Sequence, residues 1–162
     1  MGHATVASLG GGDMKTKLFL VLSGMLIAAS VGRASVDPKA VEIVAPDQVK
    51  WVKNAQGTSE SATLFGDPSK PGPYVIRIRW LPGNMSRPHT HSTDRFFVVI
   101  SGTWWVGSGT KFDPDSTVPV KPGSYVIHHA GQPHYDGAKG EETVIQVWGE
   151  GPLTTQSAEQ KP

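Results

Sequence analysis

The chain has 162 residues, a formal net charge of +1 and no cysteine. One domain with a real core fits that length, and so even a charge balance gives no reason to expect nucleic acid or an anionic membrane as partner. Without cysteine there is no disulfide, no thiolate metal ligand and no lipidated cysteine anchor.

Residues 1–13 precede a natural-looking start at Met14 and are set aside from the fold, as an over-called start or an artificial extension. Residues 14–34 read as a secretory signal helix. Met14 to Lys17 is basic, Leu18 to Val31 is uncharged and mostly apolar, and Gly32 and Ala34 form a small-residue cleavage site. The apolar run is about 14 residues, short of the roughly 20 that span a bilayer, so an uncleaved anchor is the lesser reading. This predicts a periplasmic or secreted protein that has no membrane contact after cleavage.

Residues 35–49 form a lead-in, with Val41 to Val44 predicted as an edge strand. The main domain is expected over 50–152, followed by a flexible tail over 153–162. Within it, Ala62 to Phe65 is a short strand closed by Gly66-Asp67-Pro68. Tyr74 to Leu81 alternates, with Tyr74, Ile76, Ile78 and Trp80 on one face and Val75, Arg77, Arg79 and Leu81 on the other. Phe96 to Ile100 is a continuous apolar run, as in a strand buried on both faces. Thr103 to Val106 returns after Ser101-Gly102, and Thr143 to Trp148 closes the domain. No amphipathic helix of useful length follows residue 35. Strands with turn signals between them give an all-β sandwich or barrel.

The chemistry is concentrated between Gly83 and His134, which hold five of the six histidines: His89, His91, His128, His129 and His134. His89 and His91 sit at i and i+2, so a strand points both to one face. A histidine from a later strand completes a set of three imidazoles, a donor set that suits zinc, iron, copper or nickel.

Two segments carry a family resemblance. GNMSRPHTHSTDRFFVVISG, Gly83 to Gly102, resembles the first cupin motif, with Gly83, His89, His91 and Gly102 in register and Arg95 at the glutamate position. GSYVIHHAGQPH, Gly123 to His134, resembles the second: Gly123, Gly131 and His134 match, while His129 replaces the proline and Ala138 the asparagine. The resemblance covers roughly residues 60 to 150. It implies a cupin jelly-roll barrel, a double-stranded β-helix with a metal site inside, and it implies a homodimer. It does not identify the reaction.

By this reading His89, His91 and His134 are the metal ligands. They bind as neutral imidazoles, so affinity should fall as the pH drops through the range where they protonate. A guanidinium cannot replace the family's carboxylate ligand. The site should therefore be three-histidine, with open positions for water, oxygen or substrate. An inward Arg95 would grip a substrate carboxylate or enolate, or else pair with Asp94 or Asp136. Asp94 is one residue off the inward position and should turn away from the metal. His128 and His129 are adjacent, so a strand sends them to opposite faces. One could be a fourth ligand, a general base or an anion partner. Asp136 shares the parity of His134 and could move a proton or orient an imidazole, with Tyr135 pointing outward. Trp104, Trp105, Phe97, Val99 and Met85 are candidates for the pocket wall; Arg77 and Arg79 are expected on a solvated outer face, with anion binding at the barrel mouth as the alternative.

Two functional readings follow. One is a metal-dependent enzyme on a small acidic molecule, resembling three-histidine iron dioxygenases or using lyase or isomerase chemistry. Iron is favoured; zinc, manganese and nickel remain open. The other is a non-catalytic cupin that captures a small ligand or the metal itself; the three histidines argue against a degenerate barrel that binds no metal and serves as a structural or dimerisation unit.

Overall fold

Alternation along Tyr74 to Trp80 builds the wall against which the site rests. The computed structural model describes residues 36–160. The upstream segment 1–13 and the signal helix expected over 14–34 lie outside the described residues.

Eleven strands form two antiparallel sheets, and the only helical pieces among the described residues are single turns at Pro46–Gln48 and Pro114–Ser116. The strands are β1 (Val52–Lys53), β2 (Ser59–Phe65), β3 (Gly72–Trp80), β4 (His89–His91), β5 (Arg95–Ser101) and β6 (Trp104–Ser108). They continue with β7 (Val118–Val120), β8 (Tyr125–His128), β9 (His134–Gly137), β10 (Thr143–Gly151) and β11 (Thr155–Ser157). The larger sheet has the order β1-β2-β3-β10-β5-β8 and the smaller β11-β4-β9-β6-β7. All belong to one unit, Glu42–Pro162. This is the all-β architecture expected. No helix among the described residues is long and apolar enough to cross a membrane.

Register sets which side chains meet. Val147 lies opposite both Ile76 and Phe97, and Ile145 opposite both Ile78 and Val99. These inward positions join Trp80 and Trp104 in the core cluster. Burying each such side chain contributes about 1.5–3 kcal/mol. The next row continues inward as Tyr74, Gly149, Arg95 and His128, one from each of four adjacent strands. The apolar pattern thus ends in a polar row at one end of the barrel. Gly149 is required there, because a Cβ would meet the Tyr74 hydroxyl at 2.9 Å and the Asp94 carbonyl oxygen at 3.0 Å.

Two expectations need correction, and one strand was not foreseen. Val41 to Val44 is not a strand; its valines and Ile43 are exposed, and β1 takes the sheet edge instead. Val118–Val120, unanticipated, forms β7. It carries Pro119, which an edge strand tolerates because one side needs no N–H donor. The segment after Gly151, expected to fray, holds β11, which pairs antiparallel with β4 through Thr155 and His91, Gln156 and Thr90, and Ser157 and His89. Its residues are polar, so no hydrophobic pattern marks it; the partner strand creates it.

Candidate metal centre

The strand β4 projects His89 and His91 to one face, and β9 places His134 directly opposite His89. Ring centroids are 4.7 Å apart for His89 and His91, 4.5 Å for His89 and His134, and 5.2 Å for His91 and His134. One ring nitrogen from each lies within 4.8 Å of the others.

Hydrogen bonds fix the ring orientations. His89 Nδ1 meets the Arg87 carbonyl oxygen at 2.8 Å, and His134 Nδ1 meets that of Gln132 at 3.0 Å. A carbonyl only accepts, so each Nδ1 carries the proton and each neutral ring presents its Nε2 lone pair. For His91 the logic runs from the other nitrogen. Arg95 Nη1 lies 2.7 Å from His91 Nε2, and guanidinium only donates. His91 therefore holds its proton on Nδ1 and donates it to Thr155 Oγ1 at 3.0 Å.

The Nε2 atoms of His89 and His91 are 3.1 Å apart. In neutral rings oriented this way no proton lies between them, and the cation that meets the His91 Nε2 lone pair is the Arg95 guanidinium. His134 Nε2 is buried without any partner. The donor set therefore fits a divalent transition metal held by three Nε2 atoms. His91 Nε2 is the one donor already engaged, by Arg95.

Charge and burial agree with neutral imidazoles. Burial, followed by the Arg95 charge, pushes His91 down to about 2. Burial pushes His134 down to about 4, with His89 and Arg95 adding to it and the Gln132 carbonyl opposing.

Arg95 faces inward at 6% exposure, with its charge 5.1 Å from the Phe97 ring centre. Neither expected structural ion pair forms. Asp94 accepts from the Ala130 backbone N–H at 2.7 Å and lies 3.8 Å from His129 Nδ1, so strand alternation has turned it away. Asp136 is buried with Ser86, whose hydroxyl donates to its Oδ1 at 3.3 Å. Burial pushes the Asp136 carboxyl up, opposed by His89 and Arg95. Burial likewise lowers the Arg95 guanidinium, opposed by Tyr74 and Asp136. The Arg95 Nε has no hydrogen-bond partner, and the Tyr74 hydroxyl lies beside the guanidinium.

A cavity of about 610 Å³ opens onto His89, His91, Arg95 and Asp136. Ile76, Ile78, Trp80 and Phe97 form its apolar wall, and Ser59, Ser61, Ser86, Thr155 and Ser157 add hydroxyls. Of the wall candidates only Phe97 lines it. Trp104 and Val99 are core, Trp105 lies under Lys139, and Met85 lines a separate cavity. Arg77 meets Gln146 and Arg79 meets Glu60, both away from the cavity, as the outer-face reading expected.

Two candidate catalytic histidines do not reach the cavity. His129 is exposed beside Asp94, because His128 takes the inward position of that strand. His128 is buried, but behind His134: their ring centroids are 3.9 Å apart, and Phe97 and Trp104 pack on its other sides. Burial, then the His134 and Arg95 charges, push it down to about 2, and neither nitrogen has a partner. Tyr135 does point away from the metal side but is not solvent-facing. It lies beneath Phe112, and its hydroxyl donates to the Asp113 carbonyl. Thr155 and Tyr74 are the site residues that sequence reasoning missed. The alternation had placed Tyr74 on the inward face, while nothing pointed to Thr155.

No curated protein sequence matches the chain. Among solved structures, the polyketide cyclase RemF from Streptomyces resistomycificus superposes with a TM-score of 0.61 at 17% identity, covering 75% of this chain and 87% of that one. The DMSP lyase DddQ from Ruegeria pomeroyi gives 0.53 at 15% identity, covering 70% and 64%. Salicylate 1,2-dioxygenase from Pseudoaminobacter salicylatoxidans gives 0.53 at 12%, covering 67% of this chain and 31% of that one. These likenesses establish the shared fold, across proteins of different reactions. The family model described as the ChrR cupin-like domain matches residues 39–154, and the chain belongs to that cupin family.

Proposed function

We propose that this chain is a metal-dependent enzyme acting on a small acidic organic molecule. His89, His91 and His134 would hold the metal, and the reaction would be dioxygenase-like or of the lyase or isomerase kind. The observation that carries the reading is a buried guanidinium without a carboxylate partner, set among three converging imidazoles at the end of an apolar cavity. A bound divalent metal would supply Lewis acidity and, as iron, redox chemistry with oxygen; iron is favoured, with zinc, manganese or nickel as alternatives. The cyclase, lyase and dioxygenase among the structural neighbours support small-molecule chemistry in this fold.

The protein's own groups divide the work. Arg95 binds the substrate's carboxylate or enolate oxygen through its fork, and in doing so leaves His91 Nε2 free to act as a ligand. Asp136, held toward its protonated form by burial, exchanges a proton with the substrate. Phe97, Trp80 and the two isoleucines exclude water from the apolar part of the substrate.

One observation favours a second reading, a non-catalytic barrel that binds a small anion. The Arg95 bond to His91 occupies a lone pair that a metal needs. Elemental analysis of protein purified without a histidine tag or chelator separates the two. About one transition metal per chain, lost in His134→Ala, supports the enzyme. No metal after loading with iron, zinc, manganese and nickel in turn would sink it and leave the anion binder.

Export to the periplasm or beyond remains part of the proposal, resting on residues 14–34. So does a homodimer. Phe96, Val98, Ile100, Tyr125, Ile127 and Trp148 form an apolar outer face on the larger sheet, with Tyr125 and Ile100 about half exposed. Light scattering at micromolar concentration tests it, and a monomer mass would remove it.

A further inference from the structure

The three imidazoles differ in what holds their outer nitrogen. His89 and His134 each use the carbonyl of the residue two positions earlier, an acceptor that no side-chain substitution removes. For His91 the carbonyl alongside is that of Thr154, which already accepts from the Ser92 N–H, and Nδ1 makes its hydrogen bond to the Thr155 hydroxyl of β11, 64 residues away. We propose that Thr155 is the positioning residue of His91, making the strand after Gly151 a working part of the site.

Three independent contacts keep β11 in place. Its backbone pairs with β4 along all three residues, Leu153 N–H donates to the Pro68 carbonyl, and Ala158 N–H donates to the Pro88 carbonyl. An ion pair between Arg87 and Glu159 adds a side-chain clamp, on the residue whose carbonyl holds His89. The strand therefore stays docked when Thr155 is changed, and the hydroxyl can be tested apart from the backbone. Thr155 accepts from Nδ1–H because Arg95, a pure donor, takes Nε2. Without that acceptor, only Arg95 keeps the proton on Nδ1, and once Nε2 is released from Arg95 the ring is free to move its proton there or to turn. Either change removes the inward lone pair. As a ligand assignment for His91, the inference rests on the metal reading. As a statement about the ring's proton and orientation, it does not.

The test compares wild type, Thr155→Val and Thr155→Ser in the full chain, and the same three with Arg95→Met, which frees His91 Nε2. Valine keeps the shape and strand preference of threonine without the hydroxyl; serine keeps the hydroxyl. In the Arg95→Met set, nitrogen-15 spectra of the metal-free protein should show His91 protonated on Nδ1 with Thr155 and with Thr155→Ser. In Thr155→Val that signature should be lost or mixed, while those of His89 and His134 persist. Zinc titration against a chromophoric chelator should show affinity weakened roughly 10- to 100-fold in Thr155→Val and largely restored in Thr155→Ser. A Thr155→Val, Arg95→Met protein that keeps the Nδ1–H signature of His91 overturns the positioning role, whatever its zinc affinity. Wild type that keeps the signature but binds no zinc, iron, manganese or nickel refutes the metal reading alone, and the spectra then decide the role of Thr155.

Discussion

His91 and His128 are equally buried, at 6% exposure each, and burial pushes both imidazoles down to about 2. They differ in bonding. His91 has a donor on one nitrogen and an acceptor on the other, and it faces the cavity. His128 sits one layer back, between His134, Phe97 and Trp104, with no partner on either nitrogen. Burial and a depressed pKa therefore do not single out a ligand. The oriented lone pair does, and orientation comes from the group on the far nitrogen.

The sharpest way to break this comparison is to remove one histidine from each layer. His134→Ala should weaken zinc or iron binding by at least about 100-fold, while His128→Phe leaves the stoichiometry intact. Dialysis followed by metal analysis reads both, and metal lost from His128→Phe alone would reverse the assignment. Next comes Arg95→Glu. It replaces the donor on His91 with a carboxylate facing three imidazoles, and it should tighten zinc binding by about tenfold or more in a competition titration. Unchanged affinity would mean that residue 95 does not control the metal. Arg95→Lys keeps the charge without the fork. Once an acidic substrate is in hand, its kcat/KM should fall by about 10- to 100-fold.

A smaller effect tests the back layer through pH. The folded His128 resists protonation, whereas the unfolded residue takes a proton below about 6.5. Its contribution to stability is thus fully present above 6.5 and is lost progressively as the pH falls toward about 2. In metal-free protein, His128→Phe should lose about 1–2 kcal/mol less than wild type between pH 8 and pH 5, by urea denaturation. Equal losses would place the acid sensitivity elsewhere. The exposed neighbour, in His129→Ala, should change stability by no more than about 0.5 kcal/mol.

Local spacing made some of this legible. Two histidines at i and i+2 read directly as one face of a strand, and the two motifs brought His134 to them. Adjacent His128 and His129 had to split between faces, and they do, but parity cannot say that the inward one lies behind another ring instead of beside the cavity. The inward direction of Arg95 followed from its motif position. Its bond to His91 did not, because parity gives the face a side chain takes and not which ring nitrogen its end meets. Least legible was Thr155. A three-residue polar strand has no hydrophobic alternation, and its only cause is the edge of β4 on which it lies.

The long reach between β4 and β11 also bears on how the protein matures. Asp136 meets Ser86 across 50 residues, and Thr155 meets His91 across 64. Contacts of such span form late and slowly in all-β chains, since loop closure costs entropy before the contact rewards it. A chain that has collapsed around Trp104 and Phe97 without docking β11 would already look folded by tryptophan fluorescence, yet its His91 would be unanchored. Acquisition of a working centre should therefore lag behind compaction during refolding, and early metal capture would catch the barrel in an immature form.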